Sequence, residues 1–170
     1  ACDRFGQIAP KVFFTTQSYL YGSKSIDCLP KAASILARLD SVEVTVVVPI
    51  KAPIKGASAD ISVLPGAVFY QDFLSDAVKI DFASLPFDHP VYINYSSGTT
   101  GVPKCIVHGA GGTLIQHKKE MMLHTDLRAE DVLFYFTTCG WMMWNWLVSG
   151  LTCGATVVLF DGSPFAKDGS

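Results

Sequence analysis

The chain has 170 residues, 49% of them hydrophobic and only 16% charged, so it holds the apolar content for a real core and is not a disordered segment. Thirteen Lys and Arg against 15 Asp and Glu leave a formal net charge of -2 with no basic block, which argues against nucleic acid as a partner. The longest apolar run, residues 140–151, contains Asn145 and Ser149 and is too short to span a bilayer.

Strands and helices alternate along the chain. Residues 11–15 read as a short strand, Pro30 sits near a helix start, and residues 31–39 carry apolar side chains at helical spacing. Residues 42–50 are a β-branched run suited to a strand buried on both faces. The Pro-, Gly-, Ala- and Ser-rich stretch 51–66 predicts a surface excursion, followed by a short strand over 67–70 and a short helix over 71–77. Strands are expected at 91–95 and 105–108, then a helix over 111–125 with Leu114, Met121 and Met122 on its apolar side. A strand over 132–137, a helical segment over 144–151 and a buried strand over 155–160 complete the pattern. The expected fold class is α/β, layered and mostly parallel.

The chemistry concentrates between Tyr95 and Lys104, YSSGTTGVPK. Gly98 and Gly101 can take positive φ and turn backbone N–H groups toward one point. Ser96, Ser97, Thr99 and Thr100 add rotatable O–H donors, and Lys104 adds a compact positive charge suited to a phosphate oxygen. A Walker-type loop needs glycine before its lysine and Ser or Thr after it, whereas Pro103 and Cys105 stand there. The β-branched Ile106 and Val107 that follow predict a loop joining strand to strand rather than strand to helix. These residues suit a polyanion such as a triphosphate.

This stretch resembles the phosphate loop of the adenylate-forming enzymes, whose signature runs aromatic, Ser/Thr, Ser, Gly, Ser/Thr, Thr, Gly, any residue, Pro, Lys. The flanking text, CIVHGAGGTLIQHKKE, TTCGWMMWNWLVSGL and FDGSP downstream with DRFGQIAPKVFF and LPFDHPVYINYSSGTTG upstream, is similar to the acetoacetate–CoA ligases of that superfamily. The resemblance covers nearly the whole chain and is weakest over residues 32–83. It implies an internal piece of the large N-terminal layered α/β domain of an adenylate-forming enzyme, without the C-terminal domain that carries the catalytic lysine. It also implies that Ser96, Ser97, Gly98, Thr99, Thr100, Gly101 and Lys104 hold ATP phosphates together with Mg²⁺, and that Gly140 and Trp141 close over the carboxylate substrate. Acetoacetate, ATP and coenzyme A are then the small-molecule substrates, and the location is cytoplasmic. No catalytic residue is assigned within the segment, and these residues alone are expected to be inactive. Two alternatives stand beside this expectation: a truncated, non-catalytic nucleotide-binding or interaction module, and a ligase for another short acid.

Other features have plainer readings. By pattern alone the cluster Trp141, Met142, Met143, Trp144 and Trp146 reads as a core helix; the resemblance favours a pocket wall for Gly140 and Trp141. His117 and His124 are seven residues apart and could share a helix face, but no third ligand has suitable spacing, so satisfied or surface histidines are expected. Lys118, Lys119 and Glu120 read as a solvated face. The five cysteines form no C-x-x-C pair and are expected as buried free thiols in a reducing compartment. Asn94-Tyr95-Ser96 matches a glycosylation acceptor but lies where a buried strand enters the loop.

Overall fold

The structure is a computed structural model that describes residues 1–21, 24–49, 60–96 and 101–160. They fall into two compact units, Ala1–Asp81 and Phe82–Asp161.

The first unit is built on a three-stranded parallel sheet. After a single helical turn, α1 (Cys2–Phe5), the chain forms β1 (Val12–Thr16), β2 (Ser18–Tyr21), β3 (Lys24–Asp27), α2 (Leu29–Leu36), β4 (Val44–Val48), β5 (Ala67–Phe69) and the one-turn α3 (Tyr70–Phe73). β4 lies in the centre, parallel to β1 on one side and to β5 on the other. Both faces of the middle of β4 are covered: Thr45, Val46 and Val47 are all 0% exposed, as expected of a β-branched run in a parallel sheet. α2 starts with Pro30 in its first turn, where a missing N–H costs nothing, and the Asp27 carboxylate accepts the Leu29 N–H at 3.0 Å. Leu29 and Ala32, with Ala33 and Leu36 beside them, form the stripe that packs with Val47 and Leu64. The helix ends at Leu36, three residues before the expected limit of 39. The expected surface excursion is only partly one: residues 51–59 lie outside the described set, but Leu64 is 2% exposed and belongs to this core. β2 and β3 form an antiparallel hairpin that the sequence pattern did not reveal.

The second unit contains the motif. β6 (Pro90–Tyr95) and β7 (Cys105–Gly109) pair antiparallel, so the loop between them does join strand to strand. α4 (Ala110–Lys119) follows β7 without a break and widens into a π-helical turn, Glu120–His124. Its first free N–H groups are satisfied by the segment before β6: Ala110 N–H donates to His89 O and Gly111 N–H to Phe87 O, both at 2.8 Å. His117, Lys118 and Lys119 sit at its C-terminal end, where positive charge complements the helix dipole. β8 (Val132–Leu133) and β9 (Thr156–Val157) pair in parallel across α5 (Met142–Val148) and a 3₁₀ turn, Ser149–Cys153. Met121, Leu127, Leu133, Leu147 and Ala155 form the core, with Trp144, Trp146, Cys153 and Val157 packed against it.

Several expectations here are corrected. The strands at 132–137 and 155–160 shrink to two residues each, because only Val132–Leu133 and Thr156–Val157 find a partner. Leu159 and Phe160 are 69% and 51% exposed rather than buried. On α4 and its π turn only Met121 is buried, while Leu114 and Met122 stay about half exposed at 50% and 49%. The cysteines are free, but Cys139 is exposed and Cys2, Cys28, Cys105 and Cys153 are only partly covered. Burial, and then the neighbouring Asp27 carboxylate, push the Cys28 thiol above its ordinary 9.0 and keep it protonated.

Candidate functional site

The loop between Tyr95 and Lys104 is held at its base by the β6–β7 ladder. Tyr95 lies opposite Cys105, Asn94 opposite Ile106 and Ile93 opposite Val107. Beyond the last pair, Ser96 N–H donates to Lys104 O at 3.1 Å and closes the loop. That bond commits the Ser96 amide to the ladder, so at this position the hydroxyl is the group left for an anion. Gly101 has φ of +124°, a conformation L side chains rarely adopt, as the turning role predicted for it demands. Lys104 is exposed at the exit of the loop and forms no ion pair among the described residues. Ser97, Gly98, Thr99 and Thr100 lie outside the described residues.

Downstream of the loop, β7, α4 and α5 surround a cleft of about 730 Å³. Val107 and His108 of β7 line one side. Thr113, Gln116 and His117 of α4, with Glu120 just beyond, supply a polar wall, and Met142, Met143 and Trp146 of α5 supply an apolar one. This volume is within the range of small-molecule sites. Met142, Met143 and Trp146 thus contribute to a cavity wall, while Trp144 and Trp146 also pack on the core, so the aromatic cluster divides between the two expected roles.

Gly140 and Trp141 occupy the turn that leads into α5. Trp141 N–H donates to Thr138 O at 3.0 Å, and Trp144 N–H to Trp141 O at 3.0 Å. Trp141 is 71% exposed and lines a separate depression of about 290 Å³ with Tyr135, Phe136, Thr137, Thr138 and Met143. Met143 lines both spaces. The polar wall of α4 was not among the sequence-derived site residues. Its signal was Thr113, Gln116, His117 and Glu120 at steps of three, one and three residues, which share a helix face.

A short polar chain ties the elements of this unit together. His117 Nδ1 lies 2.7 Å from Ser149 Oγ, Ser149 Oγ donates to Asn145 O at 2.8 Å, and Asn145 Nδ2 meets Asn94 Oδ1 at 3.5 Å. Asn94 is therefore half-buried in β6 and engaged by α5. Burial holds the His117 imidazole below its ordinary 6.5, and a charge on His108 would add to that shift, while Glu120 opposes it. Among the described residues no group of three His, Cys, Asp or Glu is placed to hold a metal ion, and no helix is long and apolar enough to cross a membrane. Lys119 pairs with Glu120 at 3.2 Å on the helix surface.

Comparisons with known proteins show the family. The family described as AMP-binding enzyme matches residues 3–170. The acetoacetyl-coenzyme A synthetase of Rhizobium meliloti (strain 1021) is 52% identical over 171 residues, covering 99% of this chain and 25% of that protein. The acetoacetyl-CoA synthetase of Gallus gallus is 48% identical over 167 residues, 95% of this chain and 25% of that protein. Among solved structures, acetoacetyl-CoA synthetase from Streptomyces lividans superimposes with a TM-score of 0.85 at 41% identity, covering 95% of this chain and 24% of that one. The chain thus spans about a quarter of the length of the relatives it matches. Its mixed helices and parallel strands are those of the N-terminal α/β domain of an adenylate-forming enzyme, and the chain belongs to the AMP-binding enzyme family.

Proposed function

We propose that the protein to which this chain belongs is an acid–thiol ligase that joins acetoacetate to coenzyme A through an acyl-adenylate, with ATP as the energy source. In the first step the acid's carboxylate oxygen attacks the α-phosphorus of ATP and pyrophosphate leaves. In the second, the coenzyme A thiol attacks the acyl carbon, loses its proton and displaces AMP. The observation that carries the reading is the loop Tyr95 to Lys104, closed at its base by the Ser96–Lys104 hydrogen bond and turned at Gly101. Charge builds on phosphate oxygens in the first step, and donors already aimed at that charge lower the barrier. The hydroxyls of Ser96, Ser97, Thr99 and Thr100, with the backbone of Gly98 and Gly101, supply donors, and Lys104 supplies positive charge.

Magnesium would enter this site on the phosphate oxygens of ATP, beside the loop hydroxyls and Lys104. Its chemistry there is charge neutralisation. Gly140 and Trp141 sit on the turn that opens α5, where they would close over the carboxylate, and the acyl end would extend toward the α4–α5 cleft, whose Met142, Met143 and Trp146 wall limits its length. We assign the reading to a cytoplasmic enzyme and this chain to part of its N-terminal nucleotide-binding domain.

The test uses the full-length protein, scoring ATP-dependent thioester formation over a panel of short acids. Acetoacetate is expected to give the highest kcat/KM. Lys104→Ala, which removes a charge-assisted contact, is expected to lower kcat/KM for ATP by about ten- to a hundredfold, with Thr100→Ala acting in the same direction. Unchanged ATP kinetics in both variants would remove the loop from the mechanism, and a different preferred acid would correct the substrate.

A further inference from the structure

The polar wall of the α4–α5 cleft is used neither by the phosphate loop nor by the Gly140–Trp141 turn, and its hydrogen bonds can be followed proton by proton. Gln116 Nε2 donates one of its two hydrogens to Glu120 Oε1 at 2.9 Å. The Ser149 hydroxyl lies 2.8 Å from the Asn145 carbonyl oxygen, which has no proton of its own, so the single hydroxyl proton sits in that bond. The 2.7 Å contact between Ser149 Oγ and His117 Nδ1 must then take its proton from the ring. Neutral His117 therefore carries hydrogen on Nδ1 and keeps Nε2 as an acceptor. Glu120 is an acceptor as well. Thr113 differs from these neighbours: its side chain lines the cleft, it is half-buried, and its hydroxyl makes no hydrogen bond among the described residues.

We infer that Thr113 is a specificity-determining residue whose hydroxyl donates to the β-keto oxygen of a short 3-oxo acid, while Met142, Met143 and Trp146 receive its apolar end. This rests on the acid–CoA ligase reading above. A keto oxygen only accepts, so it is matched by a free O–H and opposed by the Nε2 lone pair of His117 and by the Glu120 carboxylate. A saturated acid of equal length presents a methylene at that place and leaves the hydroxyl unpaired in a partly dry cleft, which costs binding. The Thr113 hydroxyl is attached one bond from the helix backbone, so little side-chain entropy is lost when it engages.

The test compares acetoacetate with butyrate on the full-length protein, in the wild type and in Thr113→Val, Thr113→Ser and His108→Phe, reading kcat/KM for each acid. Thr113→Val is expected to lower kcat/KM for acetoacetate about five- to tenfold and to leave butyrate unchanged. Thr113→Ser, which keeps the donor, is expected to keep the preference for acetoacetate. An equal effect of Thr113→Val on both acids, no effect on either, or loss of the preference in His108→Phe with retention in Thr113→Val overturns the assignment. A wild-type protein that activates neither acid overturns the ligase reading itself, a result distinct from any change in discrimination between them.

Discussion

Ser96 and Lys104 show how one residue can divide its groups between scaffold and site. The Ser96 amide and the Lys104 carbonyl close the hairpin at 3.1 Å, and in the proposed function the hydroxyl of one and the ammonium of the other meet ATP phosphates. His117 is divided in another way, with Nδ1 held by Ser149 and the ring forming part of the cleft wall. Burial and the nearby His108 lower its proton affinity, and Glu120 on the π turn works against them. A histidine whose folded value lies below its unfolded one leaves stability undiminished above the ordinary 6.5, and stability is lost as pH falls through the lowered folded value. Urea midpoints of the chain are therefore expected to drop as the buffer is acidified from about pH 7.5 to about pH 5.5, and to drop less in His117→Gln. Parallel curves for the two proteins would mean that His117 titrates alike in the folded and unfolded states. Sequence reading left a satisfied or a surface role open for this histidine, and it could not name the partner, because Ser149 is 32 residues away.

Among elements, β4 and the β6–β7 hairpin were the most legible, for different reasons. β4 is a run of β-branched residues, and such side chains pack well on both faces of a central strand. The hairpin was legible through its loop, whose glycines, hydroxyls and lysine constrain what can flank them. The β2–β3 hairpin was missed because its alternation is weak: Ser18 is buried while Tyr19, Leu20 and Tyr21 are exposed. The strands β8 and β9 were overlong in the sequence reading, since a β-branched or aromatic run shows propensity but not where its partner stops. β4 also carries a cost within its core. The Thr45 hydroxyl is fully buried with no hydrogen-bond partner among the described residues. Thr45→Val exchanges that hydroxyl for a methyl of similar shape and is expected to raise stability by about 1 kcal/mol, measured from the denaturation midpoint. A loss of stability instead would mean that the hydroxyl has a partner in the folded protein.

At the scale of the whole molecule, each unit has its own core and its own exposed apolar side chains. Val78 and Ile80 in the first, and Phe82, Phe87, Trp141 and Leu159 in the second, are between 65% and 103% exposed. Large rings and branched chains in such numbers at the surface normally mark positions that another surface covers. A protein of these 170 residues alone is thus expected to bind a hydrophobic dye strongly near neutral pH. Dye fluorescence no higher than that of a compact control protein of equal mass would mean that these side chains are covered in solution. What the amino-acid sequence determined by itself was the fold class, the strand-to-strand connection of the Tyr95–Lys104 loop and the family, because those depend on local residue order: β-branched runs, turn glycines and a donor-rich loop ending in lysine. Only the tertiary structure decided which amide of the loop is spent on the ladder, that His117 meets Ser149, and that Thr113 and Met142 line one cleft. Those are contacts between segments distant along the chain, and side-chain burial and proton bookkeeping exist only once the segments have packed.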